Sequence, residues 1–231
     1  MTVSTPLDTH YLYPDSDGQP MADNTEQFSW IVMIKENLEI LFAAKADVFI
    51  AGDLLWYPIP VAAPPAPRQA PDVMVAFGRP KGRRGSYRQW QEGDIAPQVV
   101  FEILSPGNTA AEMARKFAFY QTYGVEEYYL FDPDRGTLQG WLRRGDRLVA
   151  IPDLQDWCSP RLGIRFDLGQ GQLVIYRPDG DRFLSPVELA QRAEAEQQRA
   201  EQAEQRAEAA EQKANRLAQR LRELGIDPGQ V

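Results

Sequence analysis

Val99-Val100-Phe101-Glu102-Ile103-Leu104 is the stretch from which the rest of this chain is read. Its β-branched, aromatic and aliphatic residues suit a short buried strand, yet Glu102 stands in the middle. A carboxylate there loses hydration and must find a cation, a proton or hydrogen-bond donors. Upstream, Pro71-Asp72 opens a second apolar strand, Val73-Met74-Val75-Ala76-Phe77. Just downstream, Lys116 lies on a predicted helix. Two acids on neighbouring strands and an amine on the helix that follows are the parts of a divalent-metal hydrolase site. Each has an ordinary reading too. Asp72 fits a turn cap, Glu102 a buried ion pair with Arg115 or Lys116, and Lys116 a surface partner for Glu112 at i,i+4. Met113, Phe117 and Tyr120 share the face near Lys116 and turn it toward the sheet. Tyr120, one helical turn on, can support the lysine by packing or a hydrogen bond.

Outward from this centre the chain divides into a polar leader (1–23), an α/β domain (24–183) and a helical tail (185–225). In the domain, Asn24 is an N-cap with Gln27 as its capping-box partner. The helix from Thr25 to about Ala44 places Ile31, Ile34, Leu38 and Leu41 on one face. Residues 47–57 read as one strand, or two short ones split at Gly52-Asp53. The prolines at 58, 60, 64, 65, 67 and 71 make an extended surface loop. Gly and Pro forbid regular structure over 78–90. A helix is expected from about Thr109 to Tyr123, stopped by Gly124. Strands follow at 127–131, 137–143 and 147–151, the last two joined across Arg144-Gly145-Asp146, then a pair near 162–168 and 172–176. The whole is a mixed β-sheet with flanking helices.

Ser185-Pro186-Val187-Glu188 starts a new helix. From there Ala193, Ala200, Ala207, Ala214 and Leu221 share one heptad position. Glu196, Ala203, Ala210, Leu217 and Leu224 share the position three later. This is a coiled-coil seam built mostly of alanine, which buries little area except near the leucines. Homodimerisation through it competes with a solvated single helix, since Ala, Glu, Gln and Arg all favour helix. Gly225 and Pro228 end it.

Composition narrows the chemistry. The single Cys158 excludes an internal disulfide or a cysteine-built zinc site. His10, in the leader, is the one histidine, so a Ser-His-Asp triad or a multi-histidine zinc site is not expected. Carboxylates, lysine and a hard metal must then do any hydrolysis. No apolar run approaches the roughly 20 residues that span a bilayer; Lys35, Glu36 and Glu39 break the nearest, Phe28 to Ala44. With no signal peptide visible, a cytoplasmic location is expected. The net charge of -8 comes mainly from residues before Ala190, with 18 basic and 25 acidic side chains there against 7 and 8 beyond. That argues against broad nucleic-acid affinity but leaves room for a local basic patch.

Such a patch lies at 78–90, where Arg79, Lys81, Arg83, Arg84 and Arg88 stand with no acid, beside Tyr87 and Trp90. Guanidinium forks suit phosphates and aromatic faces suit bases; a charged surface loop is the plainer reading. Mg²⁺ or Mn²⁺ takes carboxylate and carbonyl oxygens, so Asp72, Glu102 and the backbone carbonyl of Ile103 could hold it. Lys116 could then orient a water or stabilise a phosphorane.

Taken together, Pro71-Asp72, Glu102-Ile103-Leu104-Ser105-Pro106, Lys116 with Tyr120, and Gly124-Val125-Glu126-Glu127-Tyr128-Tyr129 resemble one family. It is the restriction endonuclease family abundant in cyanobacteria, within the PD-(D/E)XK nuclease superfamily. The similarity covers about residues 25 to 180, and an alanine-rich heptad tail is common in such proteins. The resemblance implies a restriction-endonuclease-like core and Mg²⁺-dependent DNA cleavage. Where the superfamily pattern wants lysine two residues after the strand acid, this chain has Leu104. The resemblance implies that the following helix supplies the amine, which fits Lys116, and that an acid of the first helix, Glu36 or Glu39, joins the site. The competing expectation is a catalytically inactive nuclease-fold scaffold acting through its coiled coil. The sequence does not separate DNA from RNA as the substrate.

Overall fold

The computed structural model describes residues 12–223. His10, and the Leu224, Gly225 and Pro228 expected to close the tail, lie outside the described residues. Chain order is α1 (Thr25–Leu41), β1 (Val48–Gly52), β2 (Trp56–Tyr57), β3 (Val73–Phe77), β4 (Tyr87–Arg88), β5 (Val99–Ile103), α2 (Ala110–Thr122), β6 (Glu127–Asp132), β7 (Thr137–Arg144), β8 (Arg147–Ala150), β9 (Arg165–Asp167), β10 (Val174–Tyr176) and α3 (Pro186–Glu223). Of the described residues, those up to Ser185 form one compact unit and those from Pro186 a second.

The first unit is built on a six-stranded sheet in the order β1-β3-β5-β6-β7-β8. Only β5 and β6 run parallel; the other neighbours are antiparallel. A parallel pair needs a crossover, and α2 is that crossover. The register decides which side chains face which layer. Val73 lies opposite Phe101 and Val75 opposite Val99, so these four share one face, with Met74 and Val100 on the other. The first face packs against Ile31, Ile34 and Leu38 of α1. The second packs against Tyr120 of α2, together with Trp56, Tyr87 and Tyr128. Because both faces are covered, β3 and β5 read as continuous apolar runs rather than alternating ones. By the same alternation Glu102 projects on the α2 face, and Asp72, one residue before β3, continues that face.

Local signals explain the helix ends. Asn24 Oδ1 accepts the Gln27 N–H at 2.8 Å, leaving Gln27's side chain for other partners. α1 stops at Leu41, short of Ala44, and residues 42–44 form turns. α2 begins after Thr109, whose hydroxyl accepts the Glu112 N–H at 3.2 Å. It ends before Gly124, whose φ of 98° is readily adopted only without a Cβ. Residues 78–90 are more ordered than expected. Tyr87 is buried and donates its N–H to Leu55 O at 2.8 Å, so β4 pairs in parallel with β2. β9 and β10 form a separate two-stranded sheet. In the second unit no residue of α3 is buried, and Leu217 is exposed. Among the described residues no helix is long and apolar enough to cross a membrane.

Candidate active site

Glu102, next to last in β5, faces the α2 layer, where it is only 2% exposed. Its Oε2 accepts from Lys116 Nζ at 2.8 Å, and its Oε1 accepts from the Tyr120 hydroxyl. Lys116 and Tyr120 lie one turn apart on α2, so one helix face supplies both donors. Tyr120 supports the acid, not the lysine as expected from spacing. It is fully buried, with its ring 5.1 Å from Tyr128 and stacked on Trp56 at 6.4 Å. Asp72 is also buried, and its Oδ2 accepts the Ile103 N–H at 2.6 Å. That bond ties the Pro71-Asp72 segment to the end of β5. The structure therefore brings together Asp72, just before β3, Glu102 of β5 and Lys116 of α2.

Electrostatics follow from this crowding. Burial, then the charge of Glu102, pushes the Asp72 carboxyl well above its ordinary range; Lys116, the Ile103 N–H and the Gln27 amide pull less strongly the other way. Burial pulls the Lys116 ammonium down, but the charges of Glu102 and Asp72 outweigh it and the net direction is up. Lys116 is thus a charged donor at neutral pH, not a base.

A cleft of about 380 Å³ opens onto this cluster, lined by Asp72, Lys116, Glu112, Asp53, Gln27 and the leader segment around Asp17 and Asp23. The leader is pinned at two points: the Tyr57 hydroxyl donates to Pro14 O at 2.7 Å, and the Ser105 hydroxyl donates to Asp23 Oδ2 at 2.5 Å. Several cleft residues had no site role in the sequence reading, among them Gln27 and Asp53. Gln27, 6% exposed, accepts the Asp23 N–H at 2.8 Å and donates Nε2 to Ile103 O at 2.9 Å. Asp53, half-buried, has its pKa raised to about 6 by burial and by Asp17, with Lys116 opposing and Glu102 adding. The Gly52-Asp53 break between strands was the only signal for it, and the capping-box position after Asn24 the only signal for Gln27.

Other candidates sit elsewhere. Glu36 pairs with Lys35 at 2.9 Å and Glu39 with Lys81 at 2.7 Å, and neither lines the cleft. The helix residue that reaches the site is Gln27, at the N-terminal end of α1. The Ile103 carbonyl already accepts from Gln27, leaving one lone pair. Within the basic segment, Arg79 and Arg84 both pair with Glu92, at 2.9 and 2.6 Å, and the Arg84 guanidinium lies 3.9 Å over the Phe49 ring. Arg88 lies 3.9 Å from Asp15 and donates to Tyr13 O at 3.2 Å. Arg83 has no ion pair among the described residues.

A hard divalent cation fits this donor set. Asp72 and Glu102 are oxygen donors, and the charge of Glu102 raises the cost of ionising Asp72, which a cation relieves. The Tyr128 hydroxyl, buried and without a hydrogen-bond partner among the described residues, lies in the field of both acids. No three His, Cys, Asp or Glu side chains among the described residues stand close enough to cage an ion by themselves. Such a site leaves coordination positions to water, as Mg²⁺ commonly does.

A mixed sheet with a helix on each face, two acids at the ends of its central strands and an amine on α2 beside them define an α/β protein with an acid- and lysine-lined cleft. A model of the Uma2 family, described as "Putative restriction endonuclease", matches residues 20–207, and the chain belongs to that family. Among solved structures, one titled as a putative nuclease belonging to DUF820 from Anabaena variabilis aligns at 15% identity, covering 62% of this chain and 74% of that one, with a TM-score of 0.45. No curated protein matches the chain.

Proposed function

We propose that this chain is a divalent-metal-dependent endonuclease that hydrolyses DNA phosphodiester bonds. The observation that supports it most is the meeting of Asp72, Glu102 and Lys116 beneath an open cleft in a member of this family. Asp72 and Glu102 would hold Mg²⁺ or Mn²⁺, with the free lone pair of the Ile103 carbonyl as a further donor. A bound ion supplies an acidified water and a counter-charge for the phosphate. The protein's own residues do the rest. Lys116 spends one of its three donors on Glu102, so two remain for a non-bridging phosphate oxygen or the attacking water. Tyr120 fixes the other Glu102 oxygen, and the Ile103 N–H fixes Asp72. Arg83, on the loop beyond β3, is the basic residue best placed to contact the backbone of DNA, because the other cations of that loop are already held by acids or backbone carbonyls.

Incubation with single- and double-stranded DNA and RNA oligonucleotides in Mg²⁺ or Mn²⁺ tests this reading. Metal-dependent cutting of DNA, lost in EDTA, supports it; cutting of RNA alone would reassign the substrate. Two further parts belong to the same proposal. The protein works in the cytoplasm, in keeping with its single exposed thiol. It also dimerises through the heptad seam of α3, where no side chain is buried within one chain. Sedimentation equilibrium of the full chain beside Leu217→Glu checks the latter, with the variant expected to be monomeric. A second reading, a non-catalytic scaffold using α3, is favoured by the acid-rich cleft wall at Asp17, Asp23 and Glu112. Dimerisation without cleavage on any substrate would select it.

A further inference from the structure

Asp53 enters the cleft from the end of β1, a third strand end beside those carrying Asp72 and Glu102. Its φ of 47° is in the left-handed region that side chains other than glycine rarely adopt. Its N–H bonds to Pro71 O at 3.1 Å and Asp72 O at 3.3 Å, so the segment that carries Asp72 holds this conformation in place. Glycine would fill such a position without strain, yet the chain keeps a carboxylate here, lining the same cleft as Asp72 and Lys116. Its charged neighbours are Asp17, Lys116 and Glu102. Lys116 is the one cation among them, and its ammonium is bonded to Glu102. A strained, cleft-facing acid without a committed counter-ion among the described residues is what a functional position leaves behind.

On the metal-dependent reading above, we infer that Asp53 is a third carboxylate of the cation site, holding the water shell of the ion that Asp72 and Glu102 bind. Since no three acidic side chains cage an ion directly among the described residues, Asp53 acts at one water's remove. Mg²⁺ and ions like it keep several waters, and those waters need acceptors. Acceptors in that outer layer typically carry about 10- to 100-fold of metal affinity. A residue serving only as a turn between β1 and β2 would have no such effect.

Calorimetric titration of Mn²⁺ into the metal-free full chain tests this, comparing wild type with Asp53→Asn, Asp53→Gly, Glu102→Ala and Asp146→Asn. Asn tolerates the left-handed backbone and removes only the charge; Asp146 is exposed on the β7–β8 hairpin. Both Asp53 variants are expected to bind Mn²⁺ about 10-fold or more weakly, and Asp53→Gly to unfold at or above the wild-type denaturant midpoint. Asp146→Asn should bind as wild type does. Unchanged affinity in Asp53→Asn, with binding lost in Glu102→Ala, overturns the inference and leaves the metal reading standing. An equal loss in Asp146→Asn reduces the effect to long-range charge and overturns it too. Failure of the wild type to bind Mn²⁺ overturns both.

Discussion

Lys116 reaches Glu102 from a helix, its Nζ 2.8 Å from Oε2, while Leu104 occupies the strand position two residues after the acid. Leu104 packs in the same α2-side cluster that contains Tyr120. The sheet face is thus the one on which a strand lysine would also project, and α2 delivers the amine to it by another route. Glu102 and Lys116 are both largely buried, with side chains 2% and 12% exposed.

Removing the amine should therefore be felt twice. Lys116→Met leaves a buried carboxylate without its cation, and is expected to lower stability by about 3–5 kcal/mol and cleavage by roughly 100-fold or more. Placing the amine back on the strand, as Leu104→Lys with Lys116→Leu, is expected to restore part of the activity. Urea denaturation and plasmid nicking read the two effects separately. Wild-type stability in Lys116→Met would contradict the ion pair.

Gln27 joins the leader, α1 and the end of β5 through one amide. Gln27→Leu leaves the Asp23 N–H and the Ile103 carbonyl without that partner, and is expected to lower stability by about 1–3 kcal/mol. Gln27→Glu places an acceptor against the Ile103 carbonyl and a charge beside Asp72. It is expected to be more harmful at pH 8 than at pH 5, where the new acid can hold a proton and donate. Chemical denaturation at both pH values checks this; equal loss at the two would argue against the donated bond.

Asp53 gives a pH signature. Its pKa rises from 3.8 to about 6 on folding, so between those values the native state holds more protons than the unfolded one. Stability from this group therefore falls as pH rises from about 4 to about 6, then levels off. Asp53→Asn removes the contribution. In EDTA, its denaturation midpoint relative to wild type is expected to climb across that window and stay constant above it. Parallel curves for the two proteins would show that the carboxyl is not perturbed.

The basic loop divides into structural and available cations. Arg84, bonded to Glu92 and lying over Phe49, is expected to cost about 1–3 kcal/mol of stability when replaced by Ala. Arg83→Ala is expected to leave stability unchanged, weaken DNA binding, and lower the slope of log affinity against log salt by about 1. Fluorescence anisotropy with a labelled duplex over a salt series reads this directly. An unchanged slope would remove Arg83 from the interface.

The sheet and the central acid were legible because their signals are local. An apolar run of strand length with a single carboxylate marks β5, and i,i+4 spacing puts Lys116 and Tyr120 on one face of α2. What could not be read depends on contacts between distant segments. Gln27 sits where a capping box is expected, but its Nε2 meets a carbonyl 76 residues away. Asp53 reads as a break between short strands, and it reaches the site only because Gly52 pairs with Val73 across β1 and β3. The segment 78–90 does lack acids, yet Glu92 lies just past its end and Glu39 comes from α1. Local composition thus overstated its free charge. Glu36 and Glu39, which the resemblance implied for the site, pair instead with Lys35 and Lys81 and do not line the cleft.

Cleavage of supercoiled plasmid by wild type and by Glu102→Ala, both shown to be folded, in Mg²⁺, Mn²⁺ and EDTA, is the most direct trial. Wild type should nick the plasmid only when a divalent ion is present, and Glu102→Ala should not nick it at all. Equal nicking by the two proteins, or nicking that survives EDTA, would contradict a reaction carried by Asp72, Glu102 and Lys116.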